Sequence, residues 1–528
     1  MVQIIDFLLA ILPIIVVFVG LVFFKKGGTF MGVVGWLLTL AIAVLFFKTS
    51  LDIALYASFA GVLASFGISL MVLFTILQVT MMDVTGAIKS ITGFIKTIAA
   101  EKYEQIMLLN VGMGTFLVSV GATPVTMLPP IMIALGFSPV AAIALPCLGY
   151  DPLTSFSLLA VPIKSPADAF GLDVNLLAQN VTLFLPLIAT GLSLGMLWVA
   201  DGWNGVKKGF VPSIVAGLTL GFASIFFVRF FPAYLNLTGV FSGLLAIVAL
   251  LLLRIVRGKP IFLKKEARQK AIAADGGAVL PLWRSLAPWV LLVAFCVIIS
   301  IPDINKGLYD LLGTTQKIHI VGDQFIDLKL FTQAYVWVLV STVIAAPFLL
   351  RTKADAVKTM KVWAKRAWSP TVAAMVFFAI AYIMFWSAKS VTDGKLVAVD
   401  ATMNMNYVIG VAIASYVGAL LFPFVSPLMG LFGGFVSGSE TSSNVMFYKI
   451  LETATGKLEM AGNLMQVFAA HAVAGGIASG IAVAKIVNAA AVIDQIGMEG
   501  DVIRKSAPVI IVLTLLTGIM LAAWILLL

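Results

Sequence analysis

An all-α integral membrane protein, with about twelve transmembrane helices plus broken or re-entrant hairpins in two inverted-repeat-like halves, is the fold class that the sequence predicts. Three observations predict it. Of 528 residues, 61% are hydrophobic and 11% charged, against about half and about a quarter in soluble domains. Apolar runs of the roughly 20 residues needed to cross a bilayer recur from Phe7 to Leu528 with no soluble domain between them. Two stretches inside these runs are crowded with Gly, Pro and hydroxyl side chains. Non-helical backbone at membrane depth persists only where protein buries it or it lines a watery cavity.

Charge and cysteine usage exclude several classes. The formal charge of +10 collects in short loops, where Lys and Arg set orientation in the membrane, so it does not point to nucleic acid. Cys147 and Cys296 both lie in apolar runs and read as small hydrophobes. Neither a disulfide framework nor a metal-ligand spacing is present, and no cofactor is expected.

Phe7–Phe24 and Thr29–Phe47 read as two spans joined by Lys25-Lys26-Gly27-Gly28, a turn placed in the cytoplasm by its charge. Phe7–Phe24 lacks a small-residue cleavage site and reads as a first span rather than a removable signal. Leu51–Met82 is a long run broken by Gly61 and Gly67. Asp83–Tyr103 carries Val84, Ile88, Ile91, Ile95 and Ile98 on one helical face with Lys89, Lys96 and Lys102 off it, the pattern of a helix resting in the interface.

Residues 107–163 form the first irregular region, with Gly112, Gly114, Gly121, Pro124, Pro129, Pro130, Pro139, Pro146 and Asp151-Pro152-Leu-Thr-Ser155. So many breakers predict half-helices and unwound turns. Val181–Val199, Val211–Phe231 and Leu237–Val256 are plainer spans that close a first half, residues 1–256. A basic loop, 257–284, leads into a second half, 285–528, which opens with spans Leu286–Ile301, Leu330–Leu350 and Thr371–Ala388. The basic loops after Val256 and after Leu350 are separated by two spans, so both can be cytoplasmic at once. The second irregular region covers 407–490 and contains Gly430-Leu-Phe-Gly-Gly-Phe-Val-Ser-Gly-Ser-Glu-Thr-Ser-Ser-Asn444, then Ala470–Gly480 and Ala484–Asn488. Pro508–Leu528 closes the chain. An even number of crossings places both termini outside.

The irregular regions share a weak likeness: Gly114–Thr123 can be laid on Gly433–Ser442. Interrupted segments at corresponding places in two halves are the best sequence pointer to the binding site of a secondary transporter.

At this point the residues resemble the L-lactate permease family. Gly438-Ser-Glu-Thr-Ser-Ser-Asn444 is close to that family's Gly-Ser-Asp-Thr-Ser-Ser-Asn run. Supporting matches are Gly114-Thr-Phe-Leu117, Ala134-Leu-Gly-Phe-Ser-Pro139, Val161-Pro-Ile163, Asp201-Gly-Trp-Asn-Gly205 and Gly475-Gly476. The resemblance implies a proton-coupled symporter of small 2-hydroxy-monocarboxylates such as L-lactate or glycolate, in the cytoplasmic membrane of a prokaryote. Two departures stand out. Val118-Ser119 occupy positions where the family carries an acid, and Ser479-Gly-Ile-Ala-Val-Ala-Lys485 replaces its Gly-Lys-Met-Ile-Ser-Pro-Gln stretch.

Glu440 is the leading candidate for proton coupling, because an acid inside a bilayer is costly and usually faces a cavity, a partner or an ion path. Its competing reading is a hairpin tip in water. Asp151 and His471 are the other coupling candidates, read otherwise as a loop aspartate and a packing histidine. Ser439, Thr441, Ser442, Ser443 and Asn444 offer hydroxyl and amide groups for a carboxylate and a hydroxyl, with a helix N-terminus behind them; capping alone is the plainer role. Ser119 and Thr123 are their first-half counterparts. Lys485 pairs with a substrate carboxylate or with Glu440, or snorkels to the interface. Arg229, Lys449 and Lys164 read as interface anchors.

The expected partners are a small carboxylate, protons and the lipid bilayer, and an oligomer is compatible with the sequence. A sodium-coupled organic-anion carrier is the nearest alternative. A Ser/His hydrolase using Ser437 or Ser479 with His471 lacks a recognisable nucleophile motif, and charge rings of a channel are absent. No Walker A run supports direct ATP drive.

Overall fold

A helix satisfies its own backbone, which is why apolar sequence that must live in lipid folds as helices. The computed structural model describes residues 4–24, 26–95, 97–98, 101–121, 124–262, 280–491, 493, 495 and 497–527. Among these residues nine helices are long and apolar enough to cross a membrane, or ten when Pro139–Gly149 and Thr154–Phe170, bent by 62°, count as one span. The expected dozen is not reproduced by that test. Three apolar helices are shorter, namely Ile4–Gly20, Leu51–Ala64 and Ala334–Leu349. Val174–Phe230 is one continuous element that reverses at Asp201 and Gly202. Its two legs pack so closely that a Cβ on Gly217 or Gly221 would strike the Thr190 or Pro186 backbone.

Large apolar side chains such as Leu45, Val290, Leu420 and Val512 stand exposed on these helices. An exposed apolar surface of this extent marks a membrane-facing or protein-facing side, and on spanning helices it is the face turned to lipid. The run from Leu51 breaks at Ser65 rather than at a glycine. Gly61 serves packing instead, with its Cα against the backbone of Phe378 and Ala379.

Charge is confined largely to two rims. At one, Tyr103 donates to Asp201 at 2.5 Å, Arg254 pairs with Glu104, Lys259 with Glu101 at 2.7 Å and Arg366 with Asp83 at 3.5 Å. At the other, Lys48 pairs with Asp400 at 2.9 Å and Lys329 with Asp168 at 2.6 Å. This second rim carries the only strands among the described residues, two hairpins: Lys317–Val321 with Gln324–Asp327, and Lys389–Thr392 with Lys395–Ala398. Asp323 in the first accepts from the Leu396 amide of the second at 3.0 Å. We refer to these as the basic rim and the hairpin rim.

One order of elements occurs twice. In the first half a helical hairpin, running in through Lys102–Ile106, Met107–Met113 and Gly114–Ser119 and out through Pro124–Ala134, precedes a helix broken between Pro139–Gly149 and the stretch ending at Phe170. In the second, Met405–Ser437 turns at Gly438 and Ser439 into Glu440–Lys457, and Leu464–Ile477 is broken from Val483–Ala491. The first helical hairpin is rooted at the basic rim, where the Lys102 ammonium stands 5.0 Å from the Phe137 ring centre. The second is rooted at the hairpin rim, where the Lys449 ammonium lies 5.2 Å from the Phe385 ring centre. Packing then crosses between halves. Ser157–Phe170 lies on Glu440–Lys457, and Val483–Ala491 lies on Pro124–Ala134 and Pro139–Gly149. Each broken helix also touches the other's break, which brings both interruptions together in the protein interior.

Candidate functional site

The first break follows from its sequence. Tyr150 and Asp151 end the helix before Pro152, and Thr154–Phe156 make a short 3-10 turn held by the Thr154 hydroxyl donating to the Tyr150 carbonyl at 2.8 Å. Leu158, Leu159 and Ala160 then adopt φ values of 49°, 61° and 64°. A left-handed conformation costs an L-residue about 1–2 kcal/mol, and such strain survives only where the surroundings impose it. The second break is Ala478–Gly480 and the two residues after it.

Between them stands the start of Glu440–Lys457. Gly438, at φ 68°, is the left-handed residue that ends the preceding helix, a conformation glycine takes at no steric cost. Ser439 caps the next helix by accepting from the Ser442 amide at 3.3 Å. Glu440 therefore occupies the first helical position and reaches the first break. The Ser155 hydroxyl donates to its Oε1 at 2.6 Å, a charge-assisted length. Its Oε2 has no partner at hydrogen-bonding geometry among the described residues, although the Asn444 side chain stands close by. One turn on, the Asn444 amide donates to the Pro162 carbonyl at 3.1 Å, while its own Oδ1 is unpartnered.

Ser443 faces the other way. Its hydroxyl lies 3.3 Å from His471 Nε2 and 3.3 Å from the Gly430 carbonyl. His471 Nδ1 lies 3.3 Å from the Ser426 carbonyl; a carbonyl only accepts, so Nδ1 donates there and Nε2 is the nitrogen turned to Ser443. Small residues make this closeness possible. A Cβ on Gly430 would strike the His471 carbonyl, and one on Gly434 the Gly475 carbonyl, the close-approach packing that small residues permit between membrane helices.

Lys485 completes the cluster. Its ammonium donates to the Ser479 hydroxyl at 2.5 Å and stands 3.8 Å from the Tyr150 ring centre. Asp151, 4% exposed, has no partner at hydrogen-bonding geometry for either carboxylate oxygen among the described residues. Its nearest polar neighbours are Ser479 and the Gly480 backbone, and Lys485 acts on both Asp151 and Glu440 through space. Two buried carboxylates thus share one half-buried ammonium. Among the described residues three of their four oxygens lack a donor at hydrogen-bonding geometry, which is costly unless a proton, a cation or a ligand group completes them.

Asp151, Glu440, Ser443, Asn444, His471 and Lys485, all expected from the sequence, meet here. Ser439 caps the helix, and Thr441 and Ser442 are buried in its first turn. Ser119 stands elsewhere: its hydroxyl donates to the Thr115 carbonyl at 2.7 Å and lies against Gly239. Thr123 falls outside the described residues. Among the described residues the first-half partner of Glu440 is Ser155, in the break. Sequence reasoning also passed over Tyr150 as a neighbour of Lys485. The signal was the Asp151-Pro152-Leu-Thr-Ser155 run, whose proline and hydroxyls mark an unwound turn. The dyads entertained for a hydrolase are not formed, since Ser437 donates to the Gly433 carbonyl at 2.7 Å and Ser479 takes Lys485.

The chain is similar to known proteins over nearly its whole length. The L-lactate permease family profile matches residues 6–528. An L-lactate permease of Salmonella typhimurium is 23% identical over 550 residues, covering 97% of this chain and 94% of its own. The glycolate permease of Escherichia coli K12 is 23% identical over 527 residues, covering 94% of this chain and 91% of its own. The crystal structure of the YdaH transporter of Alcanivorax borkumensis superposes over 95% of this chain and 98% of its own, with a TM-score of 0.45 and 14% identity. A family match over nearly the whole length settles membership: the chain belongs to the L-lactate permease family.

Proposed function

We propose that this chain is a secondary active transporter that carries a small 2-hydroxy-monocarboxylate, such as L-lactate or glycolate, together with protons across the cytoplasmic membrane. The observation that carries the reading is the unpartnered oxygens of buried Asp151 and Glu440 beside the Lys485 ammonium, where the two broken helices cross. The names of the relatives, L-lactate permease and glycolate permease, supply the substrate class.

In this reading Lys485 and Ser479 form the cationic pole for the substrate carboxylate. The hydroxyls of Ser155 and Ser443 and the Asn444 amide bind its hydroxyl, and the amides of the first turn after Ser439 add the positive end of a helix dipole. A third negative charge beside Glu440 and Asp151 is tolerable only when a proton arrives with it, because like charges in a medium of low dielectric oppose each other strongly. Glu440 holds that proton, and Asp151 keeps Lys485 company when the substrate has left. His471, through Ser443, orients the hydroxyl side of the site. The halves 1–256 and 285–528 each supply one break, so relative movement of their elements opens the cluster to one side at a time. The basic rim faces the cytoplasm and both termini lie outside.

Glu440 Oε2 and Asn444 Oδ1, two bare oxygens one turn apart, favour sodium as the second reading of the coupling ion. Purified protein in liposomes, with pH and sodium gradients imposed separately, distinguishes them. An acid-outside gradient alone is expected to drive accumulation of labelled L-lactate or glycolate. Sodium-driven uptake indifferent to pH overturns proton coupling, and absence of counterflow with either acid overturns the substrate class.

A further inference from the structure

The hairpin rim holds a second set of cations that the central cluster does not use. Lys449 lies on the helix that begins at Glu440, and its ammonium stands 5.6 Å, 5.2 Å and 5.3 Å from the ring centres of Phe170, Phe385 and Tyr448. The Lys389 ammonium stands 4.2 Å from the same Phe385 ring. Two like charges thus attend one ring. Glu452, 2.7 Å from Lys449 and itself in contact with the Tyr448 hydroxyl, is the one carboxylate paired with either of them among the described residues. Burial, and then the like charge of Lys449, push the Lys389 ammonium down to about 8, against the smaller opposing effect of Asp323.

The rings beneath these lysines continue inward. Phe170 stacks on Tyr448 at 4.7 Å and 21°, Tyr448 meets Phe468 edge to face at 5.0 Å, and Phe468 lies 6.1 Å from His471, the partner of Ser443. The polar seam runs beside them, from Tyr448 past Asn444 and the Pro162 carbonyl to Ser155 and Glu440. A rim cluster and the central cluster are therefore the two ends of one interface, between Glu440–Lys457 and the stretch ending at Phe170.

We infer that Lys389 and Lys449, set on the Phe170, Phe385 and Tyr448 rings, form a recruitment site for small monocarboxylates at the hairpin rim, ahead of the central site. Two ammonium groups take the carboxylate, and the aromatic faces take the short carbon chain that a fully hydrated anion pocket would reject. Glu452 holds Lys449 in the empty state and is the group an arriving carboxylate displaces. Charge at the mouth of a cleft raises capture rates in a salt-dependent way, which gives the site a signature distinct from that of the central cluster.

This inference rests on carboxylate transport, and the test separates the two. Initial rates of labelled L-lactate uptake are measured in oriented proteoliposomes, with substrate presented at the hairpin rim, at low and at high ionic strength. In wild-type protein KM is expected to rise with salt. Lys389→Gln is expected to raise KM about ten-fold at low salt, flatten its salt dependence and leave the maximal rate unchanged, with Lys389→Arg close to wild type. Glu452→Gln, which frees Lys449, is expected to lower KM. Wild-type KM and salt dependence in Lys389→Gln, or a lost maximal rate with KM unchanged, overturns the recruitment site while transport stands. No uptake by wild-type protein overturns the transport reading instead.

Discussion

Gly475 and Gly476 are adjacent, yet adding one methyl group to each should have opposite consequences. A Cβ on Gly476 would stand 2.8 Å from Glu440 Oε2 and 3.1 Å from Thr154 Cβ, whereas one on Gly475 would find its nearest neighbours at 3.4 Å and 3.6 Å. The second set is ordinary contact. In the first, the Glu440 carboxylate must retreat, and the bond on its other side, to Ser155 at 2.6 Å, already lies within the short range of about 2.5–2.7 Å for charge-assisted bonds. Gly476→Ala thus carries overpacking of about 1–3 kcal/mol and disturbs a charge-assisted bond of about 1.5–3 kcal/mol. Alanine recovers about 1 kcal/mol of helix propensity at either position. The expected net outcome is a loss of about 2 kcal/mol for Gly476→Ala, equivalent to about thirty-fold in an equilibrium constant, and neutrality or slight stabilisation for Gly475→Ala. Thermal unfolding in detergent and lactate counterflow in proteoliposomes read both effects. Equal behaviour of the two variants, or a more damaging Gly475→Ala, would refute the placement of Glu440 between the two breaks.

Ser443→Ala should weaken carboxylate binding by about 1 kcal/mol, roughly five-fold in Kd, the worth of one ordinary hydrogen bond; calorimetry showing unchanged affinity removes Ser443 from the site. Ala160→Gly should be less destabilising than Ala144→Gly by about 2 kcal/mol, because glycine relieves a left-handed residue at 160 and forfeits helix propensity at 144. Both alanines are fully buried, so the lost methyl cancels in the comparison, and equal unfolding temperatures would contradict the strained turn. At the hairpin rim, hydrogen bonds from Thr402 and then Lys48 hold the Asp400 carboxyl at about 2, below its ordinary 3.8. A depressed folded-state value gives stability that is complete above the ordinary value and lost as pH falls toward the folded one. The difference in unfolding temperature between wild type and Asp400→Asn should be constant from pH 7 to pH 5 and shrink between about pH 4 and pH 2; shrinkage already at pH 6 would contradict it.

Glu440 is legible in the sequence because an acid amid hydroxyls and glycines has no place in plain lipid-facing helix. Ser439, among the hydroxyls that read as helix caps, takes that role in the structure, and Gly438, in the left-handed conformation, ends the helix before it. What the linear order conceals is which break meets which. The likeness of Gly114–Thr123 to Gly433–Ser442 lays one hairpin tip on the other, but the partner that Glu440 meets is Ser155, 285 residues away. That contact is decided by how two broken helices cross, a tertiary relation with no local signature. Lys449 shows the same limit: an interface lysine in sequence, it acquires its aromatic surroundings only when Phe170 and Phe385 arrive from distant segments. The small β hairpins were hidden for a different reason, since short polar loops between spans carry little periodicity.

The proposed role of Glu440 as proton carrier is tested by following Glu440→Gln through two assays on one proteoliposome preparation. Lactate counterflow, which needs binding and exchange but no net proton movement, should persist in part, while accumulation driven by an acid-outside gradient should vanish. A variant that still accumulates lactate against its gradient when only the pH gradient is imposed would contradict the assignment.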